Sequence, residues 1–400
     1  MRSAASKTAA ANVNLRLAAQ ERLDQIICDI RALVEVQSPS SDVGAVATSA
    51  EAVSALGERL LGVAAERLDV DGVAHLRWRL GEGPPRVLLL CHHDTVWPIG
   101  SWGSAPVCSQ KLTTPNGDGE GEEALFGPGV FDMKGGLVQA MHALSLLAQQ
   151  GTALDGVSIL VTGDEETGSV SSRTLIESEA ALCNAVLVLE AAAPGGALKT
   201  SRKGVGSYRL DVHGLAAHAG LEPENGINAA VELAHQVLAV ASLSGPGTTV
   251  TPTVMTAGTT MNTVPAKGSL TIDVRAWTAA ELERVDAGLR SLAAVLPGAT
   301  LELHGGINRP PLEESSSASL YERARTTAQK LGLPELTCVA VGGASDGNIT
   351  AGLGVPTLDG LGAVGGGAHA VGEHALLAPI AGRTALLAAL IESLLCGEEP

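Results

Sequence analysis

Aromatic side chains are almost missing: four Trp, two Tyr and two Phe make up 2% of 400 residues. A core without them has to be built from Leu, Val and Ala. Basic residues are also scarce, 26 Lys and Arg against 43 Asp and Glu, for a net charge of −17. This balance argues against nucleic acid as a partner, because phosphate neutralisation needs a basic face. An anionic membrane surface is disfavoured for the same reason. An acidic substrate is not, since a few local cations can hold one carboxylate. Long apolar runs are absent too. Val87 to Cys91 and Val157 to Val161 fall far short of the ~20 residues of a membrane span. Residues 1–14 are rich in Ala and Ser, carry Arg2 and Lys7, and lack the apolar stretch of a signal peptide. They are expected to form a frayed tail. The six cysteines are scattered without a Cys-x-x-Cys pair. Most sit among apolar neighbours, so reduced core thiols in a cytoplasmic protein are expected. There is no internal repeat.

What is present is an ordered series of elements. A length of 400 residues suits about two or three domains. Leu15 to Val36 has apolar residues at helical spacing and stops at Ser38-Pro39-Ser40-Ser41. Gly44 to Leu61 reads as a second helix. Arg86 to Cys91, Val157 to Thr162 and Ala185 to Leu189 are short continuous apolar runs, the pattern of strands buried on both faces. Helices are expected over Gly135 to Gln149 and up to Ser178, and a polar, Gly-rich surface loop over Leu112 to Glu123. Strand, polar loop and helix in repetition predict an open α/β sheet, with the chemistry at the carboxyl ends of the strands.

The pattern changes near Lys199. Ser207 to Gly214, Thr249 to Ala257, Gly268 to Trp277 and Thr300 to Asn308 alternate like half-exposed strands. Gly226 to Ser242 and Ala279 to Leu296 read as helices between them. Elements of the first kind return at Ser319 to Leu331, Thr337 to Val341 and Ala381 to Leu395. An α+β unit of residues 199–311 is thus inserted into an α/β domain formed by residues 1–198 and 312–400.

Polar clusters follow the buried strands: Cys91-His92-His93-Asp94-Thr95-Val96, Gly127 to Gly136 with Asp132 at its centre, Gly163-Asp164-Glu165-Glu166-Thr167-Gly168-Ser169, and Glu190. A further cluster is Gly365-Gly366-Gly367-Ala368-His369. Each has an ordinary explanation. Asp132 or Asp164 could cap a helix, Glu165-Glu166 could be a solvated first turn, and a His in a Gly-rich loop is usually surface. Together they put imidazoles and carboxylates at the ends of several strands of one sheet. That donor set suits zinc or a similar divalent ion. Two imidazoles and three carboxylates match two ions sharing a carboxylate, with one carboxylate left over as a base.

These stretches resemble the zinc-dependent M20 metallopeptidase family, and its glutamate carboxypeptidase branch most. The shared features are His-x-Asp-Thr-Val, Gly-Pro-Gly with Asp-Met-Lys-Gly-Gly, Asp-Glu-Glu-x-Gly-Ser, His-Ala-Gly, Asn-x-Val-Pro, Asp-Val-Arg and the Gly-rich His, in that order over nearly the whole chain. The resemblance implies an open mixed or parallel sheet in a discontinuous catalytic domain and an inserted lid and dimerisation domain. It implies two divalent ions per chain, zinc with cobalt or manganese as alternatives. His92 and Glu190 would complete one site, Glu166 and His369 the other, and Asp132 would bridge them. Asp94 would hold the second ring nitrogen of His92. Glu165 would be the general base. His218 would stabilise the oxyanion, in some relatives from the partner subunit, and Asn262 and Arg275 would bind a free carboxylate. Taken by itself, Arg275 reads as an exposed strand residue with an ion partner. His93 is a spacer, and Ser345-Asp346-Gly347 lies in a loop near the site.

The implied activity is cleavage of an amide to release a C-terminal amino acid, glutamate-like, from a peptide or N-acyl amino acid. The alternatives are an N-acyl amino acid deacylase of the acetylornithine or succinyl-diaminopimelate kind, and a non-catalytic binder of amino-acid conjugates. A nucleotide-binding protein is disfavoured, because no Gly-x-Gly-x-x-Gly joins a strand to a helix and Gly127-Pro128-Gly129 leads into an acid.

Overall fold

A computed structural model describes residues 15–103, 106–112 and 121–397. The expected N-terminal tail, and most of the expected loop between Leu112 and Glu123, lie outside the described residues. The chain divides into two units: Met1–Thr200 with Glu314–Ala340 and Ser345–Pro400, and Ser201–Glu313 with Val341–Ala344.

The first unit is built on a six-stranded sheet in the order Glu66–Val70, Val73–Leu80, Val157–Thr162, Val87–His92, Ala185–Val188, Thr357–Leu358. Val87–His92 runs parallel to both Val157–Thr162 and Ala185–Val188, and Thr357–Leu358 continues the parallel set. Only Val73–Leu80 opposes its neighbours. The three central strands are buried at every position, as their unbroken apolar runs require. The Gly135–Gln149 helix is buried almost all round, which is how a helix apolar on every face is stabilised. Its second residue, Gly136, must be glycine: a β-carbon there, or at Gly362, would run into the carbonyl oxygen of Leu189. That contact fixes the chain just before Glu190.

Val43–Leu61 is a helix with both ends specified. The Asp42 carboxylate accepts the N–H groups of Gly44 and Ala45 at 3.0 Å, and Gly62 closes the helix with φ 71°. A second, antiparallel sheet runs Gly365–Gly366, His374–Leu376, Glu123–Phe126, Cys108–Lys111. It presents the turn that carries His369.

The Glu66–Leu80 hairpin is not among the strands expected from apolar runs. Its charged residues, Arg67, Asp69, Arg77 and Arg79, interrupt the apolar pattern, while its turn, Asp71-Gly72, has φ of 51° and 85°, the conformation of a tight hairpin. The cysteines also depart from expectation. Only Cys91 and Cys183 are buried; Cys28, Cys338 and Cys396 are exposed and Cys108 is intermediate. Neighbouring apolar letters do not bury a thiol when it lies on the outer face of its element.

The second unit is a four-stranded antiparallel sheet ordered Thr249–Ala257, Lys267–Ala276, Gly204–His213, Thr300–Arg309. Tyr208, Leu210, Val212, Leu270, Ile272 and Val274 form its core with Leu233, Val240, Leu282, Val285 and Leu289 from two helices. Those helices are Ala229–Ala241 and Ala279–Arg290, capped by Asn228 and Thr278. The second helix ends six residues before the expected Leu296. Beyond it the buried Glu232 carboxylate takes the N–H groups of Val295 and Leu296 at 2.7–3.1 Å, a local alternative to continuing the helix.

Candidate metal centre

Three parallel strands deliver the site. Val87–His92 ends on His92 itself. Ala185–Val188 runs on for two residues to Glu190, and Val157–Thr162 leads into the turn that holds Glu165 and Glu166. Asp132 comes from the Gly-rich loop before the buried helix, and its peptide bond to Met133 is cis. His369 stands in the turn between Gly365–Gly366 and His374–Leu376 with φ 60°, a left-handed conformation uncommon for residues with a side chain.

The distances define two overlapping groups. His92 Nε2 lies 3.3 Å from Asp132 Oδ1 and 3.5 Å from Glu190 Oε1. His369 Nε2 lies 3.5 Å from Asp132 Oδ2 and 3.1 Å from Glu166 Oε2. Within each group the candidate ligand atoms are all within 4.8 Å of one another. Asp132 belongs to both, with one oxygen toward each imidazole. His92 Nδ1 is 3.0 Å from the backbone carbonyl of Asp94 and 3.4 Å from its carboxylate. With Nδ1–H donating to that carbonyl, the neutral ring keeps its Nε2 lone pair on the side of the carboxylates, the tautomer that ligates a cation.

The electrostatics describe a place that holds positive charge. Burial opposes protonation of His92, yet the carboxylates of Asp132, Asp94 and Glu190 outweigh it and raise its pKa well above the usual value. The carboxylates of Asp132 and Glu166 raise His369 to about 10. Asp132 is driven far down: burial works against it, but His369 and His92 prevail. Glu166 is raised by burial, with His369 opposing. Nitrogen and carboxylate donors, two sets sharing one carboxylate, and an environment that draws positive charge fit two divalent cations.

A layer of hydrogen bonds aims these groups. Asp94 is fully buried; it accepts from Ser40 Oγ at 2.6 Å and from the backbone N–H groups of Glu165 and Glu166 at 3.2 Å. Asp164 does not cap the turn it precedes; its carboxylate accepts instead from the N–H and hydroxyl of Ser171 at 2.7 Å and from the N–H of Ser172. Asp346 accepts from Thr162 Oγ1 and Ser169 Oγ, so it braces the turn that carries Glu165. His93 turns away from the site to bond the Ala74 carbonyl at 3.1 Å, and burial pulls its pKa down to about 4.

Two braces escaped sequence reasoning. His75 accepts the N–H of Gly163 at Nδ1 and meets Ser171 Oγ at Nε2, both at 3.1 Å. Glu373 takes backbone N–H groups from the Asp132 loop. Neither has a signal in one sequence, because burial of a polar residue depends on partners far away in the chain.

The remaining candidates lie in the second unit. His218 and Thr263 form a bridge, and the Asn262 carbonyl accepts the N–H of Ala219 at 2.9 Å, so His218 and Asn262 are on neighbouring loops. Arg275 is paired with Asp273 at 3.1 Å, the ion partner that its strand position suggests.

Two cation sites sharing a carboxylate, at the carboxyl ends of α/β strands and beside a further buried glutamate, define a metal-dependent hydrolase. The similarities narrow the class. Residues 88–393 match peptidase family M20/M25/M40, and the chain belongs to that family. It is 32% identical to carboxypeptidase G2 from Pseudomonas sp. (strain RS-16), over 80% of this chain and 76% of that protein. It is 26% identical to a succinyl-diaminopimelate desuccinylase of Rhodospirillum centenum, over 90% of this chain and 94% of that one. Among solved structures, aminopeptidase PepT from Bacillus cereus superimposes with a TM-score of 0.71 at 20% identity, covering 93% of this chain and 99% of its own. The Bacillus subtilis YXEP protein, a dinuclear metal binding peptidase of the M20 family, superimposes with a TM-score of 0.65 at 15% identity, covering 95% and 99%.

Proposed function

We propose that this hydrolase cleaves an amide bond beside a free carboxylate and releases a C-terminal, glutamate-like amino acid from a small peptide or N-acyl amino acid. The observation that carries the reading is Asp132, whose two oxygens face two separate imidazole-carboxylate groups. Similarity to carboxypeptidase G2 favours release of a C-terminal residue over other amide cleavages.

His92, Asp132 and Glu190 would hold one divalent ion, and Asp132, Glu166 and His369 the other, zinc in this reading, with cobalt or manganese able to serve. Held by those residues, two divalent ions would supply electrophilic charge beside the scissile carbonyl and lower the pKa of the attacking water. Glu165 takes the proton from that water on its carboxylate and hands it to the leaving nitrogen, so the proton count closes over one turnover. Asp94 holds Glu165 and Glu166 in register through their N–H groups. The His218 imidazole donates to the oxyanion as the carbonyl becomes tetrahedral. The Arg275 guanidinium, exchanging Asp273 for substrate, and the Asn262 amide hold the terminal carboxylate.

The second unit serves in this reading as a lid and as the dimer contact of a homodimer, from which His218 acts in its own subunit or its partner's. The edge strand Thr249–Ala257 exposes Val254 and Met255, and the neighbouring helix exposes Val231 and Leu238, an edge that a second copy would cover. A cytoplasmic setting is part of the reading and is supported by cysteines scattered along the chain without a Cys-x-x-Cys pair.

A second reading, N-acyl amino acid deacylation, is favoured by the desuccinylase similarity over 90% of the chain. A panel of dipeptides, N-acyl glutamates and N-succinyl amino acids separates the two. Chelator-sensitive release of one C-terminal amino acid, restored by zinc, is expected. Preference for succinyl or acetyl substrates whatever the amino acid would shift the assignment to the second reading. Release that survives chelation would overturn both.

A further inference from the structure

Glu373 has no role in the chemistry above, yet it is 1% exposed and ionisable. Its Oε1 accepts the N–H groups of Phe131 and Asp132, each at 3.0 Å. Its Oε2 accepts the N–H of Gly129 at 3.1 Å and the indole Nε1–H of Trp97 at 2.6 Å. Its own carbonyl accepts the N–H of Gly127 at 3.3 Å. Three backbone N–H donors of one glycine-rich loop converge on one carboxylate, a concavity of amides that suits an anion. That loop presents Asp132. Glu373 also stands at the end of the turn that presents His369, just before the strand His374–Leu376. One side chain therefore joins the two segments that supply Asp132 and His369.

We propose that Glu373 is a positioning residue that sets Asp132 against His369 and so governs the affinity of the second cation site, Asp132, Glu166 and His369. The inference rests on the dinuclear reading above. The first site is less dependent on this brace, because His92 ends one strand of the central sheet and Glu190 follows another by two residues. A brace that only supported the fold would not discriminate between the sites.

The test is Co2+ titration of metal-stripped full-length protein, followed by visible absorbance, on the wild type, Glu373→Gln and Trp97→Phe. Glutamine keeps the shape but turns an NH2 toward Gly129 and Trp97, donor against donor. The wild type is expected to take two equivalents. Glu373→Gln should bind the first as the wild type does and the second about ten- to a hundredfold more weakly. Trp97→Phe, which keeps the carboxylate and removes one donor, should shift the second equivalent in the same direction by less. In the Glu373→Gln enzyme kcat should fall while KM changes little. Two wild-type equivalents in a folded Glu373→Gln protein, or equal weakening of both, would overturn the proposal. If that variant does not fold, Trp97→Phe decides: a shift confined to the second equivalent supports the role, and no shift overturns it. Fewer than two equivalents in the wild type would bring down the dinuclear reading first, and this inference with it.

Discussion

The carboxylate of Asp94 accepts the backbone N–H of Glu165 at 3.2 Å. Through this bond the end of one strand fixes the turn after another. The same carboxylate holds Glu166 through its N–H, and the Asp94 carbonyl bonds the ring of His92. One buried aspartate thus holds His92 and Glu166, a candidate ligand in each group, together with Glu165, the proposed base.

Replacing Asp94 with Asn leaves one carboxamide oxygen for two N–H donors and for Ser40. Metal affinity and kcat are expected to fall together, by about ten- to a hundredfold. Metal titration and steady-state kinetics on the same preparation check this. A fall in kcat with wild-type metal affinity would restrict Asp94 to the Glu165 turn.

Glu165→Gln removes a base without removing a ligand. Bound metal should stay at the wild-type level while kcat drops by about 10²–10⁴-fold. Metal content by mass spectrometry, measured beside turnover, separates this from loss of the centre. Substantial turnover in the variant would place the base elsewhere.

Arg275→Ala should raise KM by about tenfold or more for substrates with a free α-carboxylate and leave amidated analogues unaffected, since the guanidinium fork is the group suited to that anion. Equal effects on both substrates would mean that Arg275 serves only its pair with Asp273.

His93 gives the fold an acid sensitivity of its own. Its imidazole is fully buried, and burial lowers its pKa from 6.5 to about 4. The unfolded chain therefore binds more protons than the folded chain between these values, and stability falls as pH drops from about 6.5 to 4. One such group accounts for roughly 3 kcal/mol at the acid end. Urea unfolding at pH 7 and pH 4.5 should show the loss, and His93→Gln should reduce it. An unchanged pH dependence in the variant would assign the acid sensitivity to other groups.

Much of this was legible in the sequence because it depends on local chemistry. Val157–Thr162 has the bounds its apolar run predicts, and His92, Asp132, Glu166, Glu190 and His369 come together as the resemblance implies. The rest depends on partners distant in the chain. The Glu66–Leu80 hairpin carries charges that find acids elsewhere, Arg77 and Arg79 both meeting Glu179, so its strands do not read as apolar. The helix after Ala279 stops early because Glu232, far back in the chain, captures the backbone beyond it. Glu373 looks like any acid in a glycine-rich turn until the Asp132 loop folds around it. Asp71-Gly72, by contrast, was a turn signal available to reading alone.

The central claim is that one carboxylate, Asp132, is shared by two cations. Its most direct test is the number of tightly bound metal ions per chain, by inductively coupled plasma mass spectrometry, in the wild type and in Asp132→Ala. The account predicts two in the wild type and one or none in the variant, with activity lost. Two ions retained in Asp132→Ala, or a single ion in a fully active wild type, would contradict it.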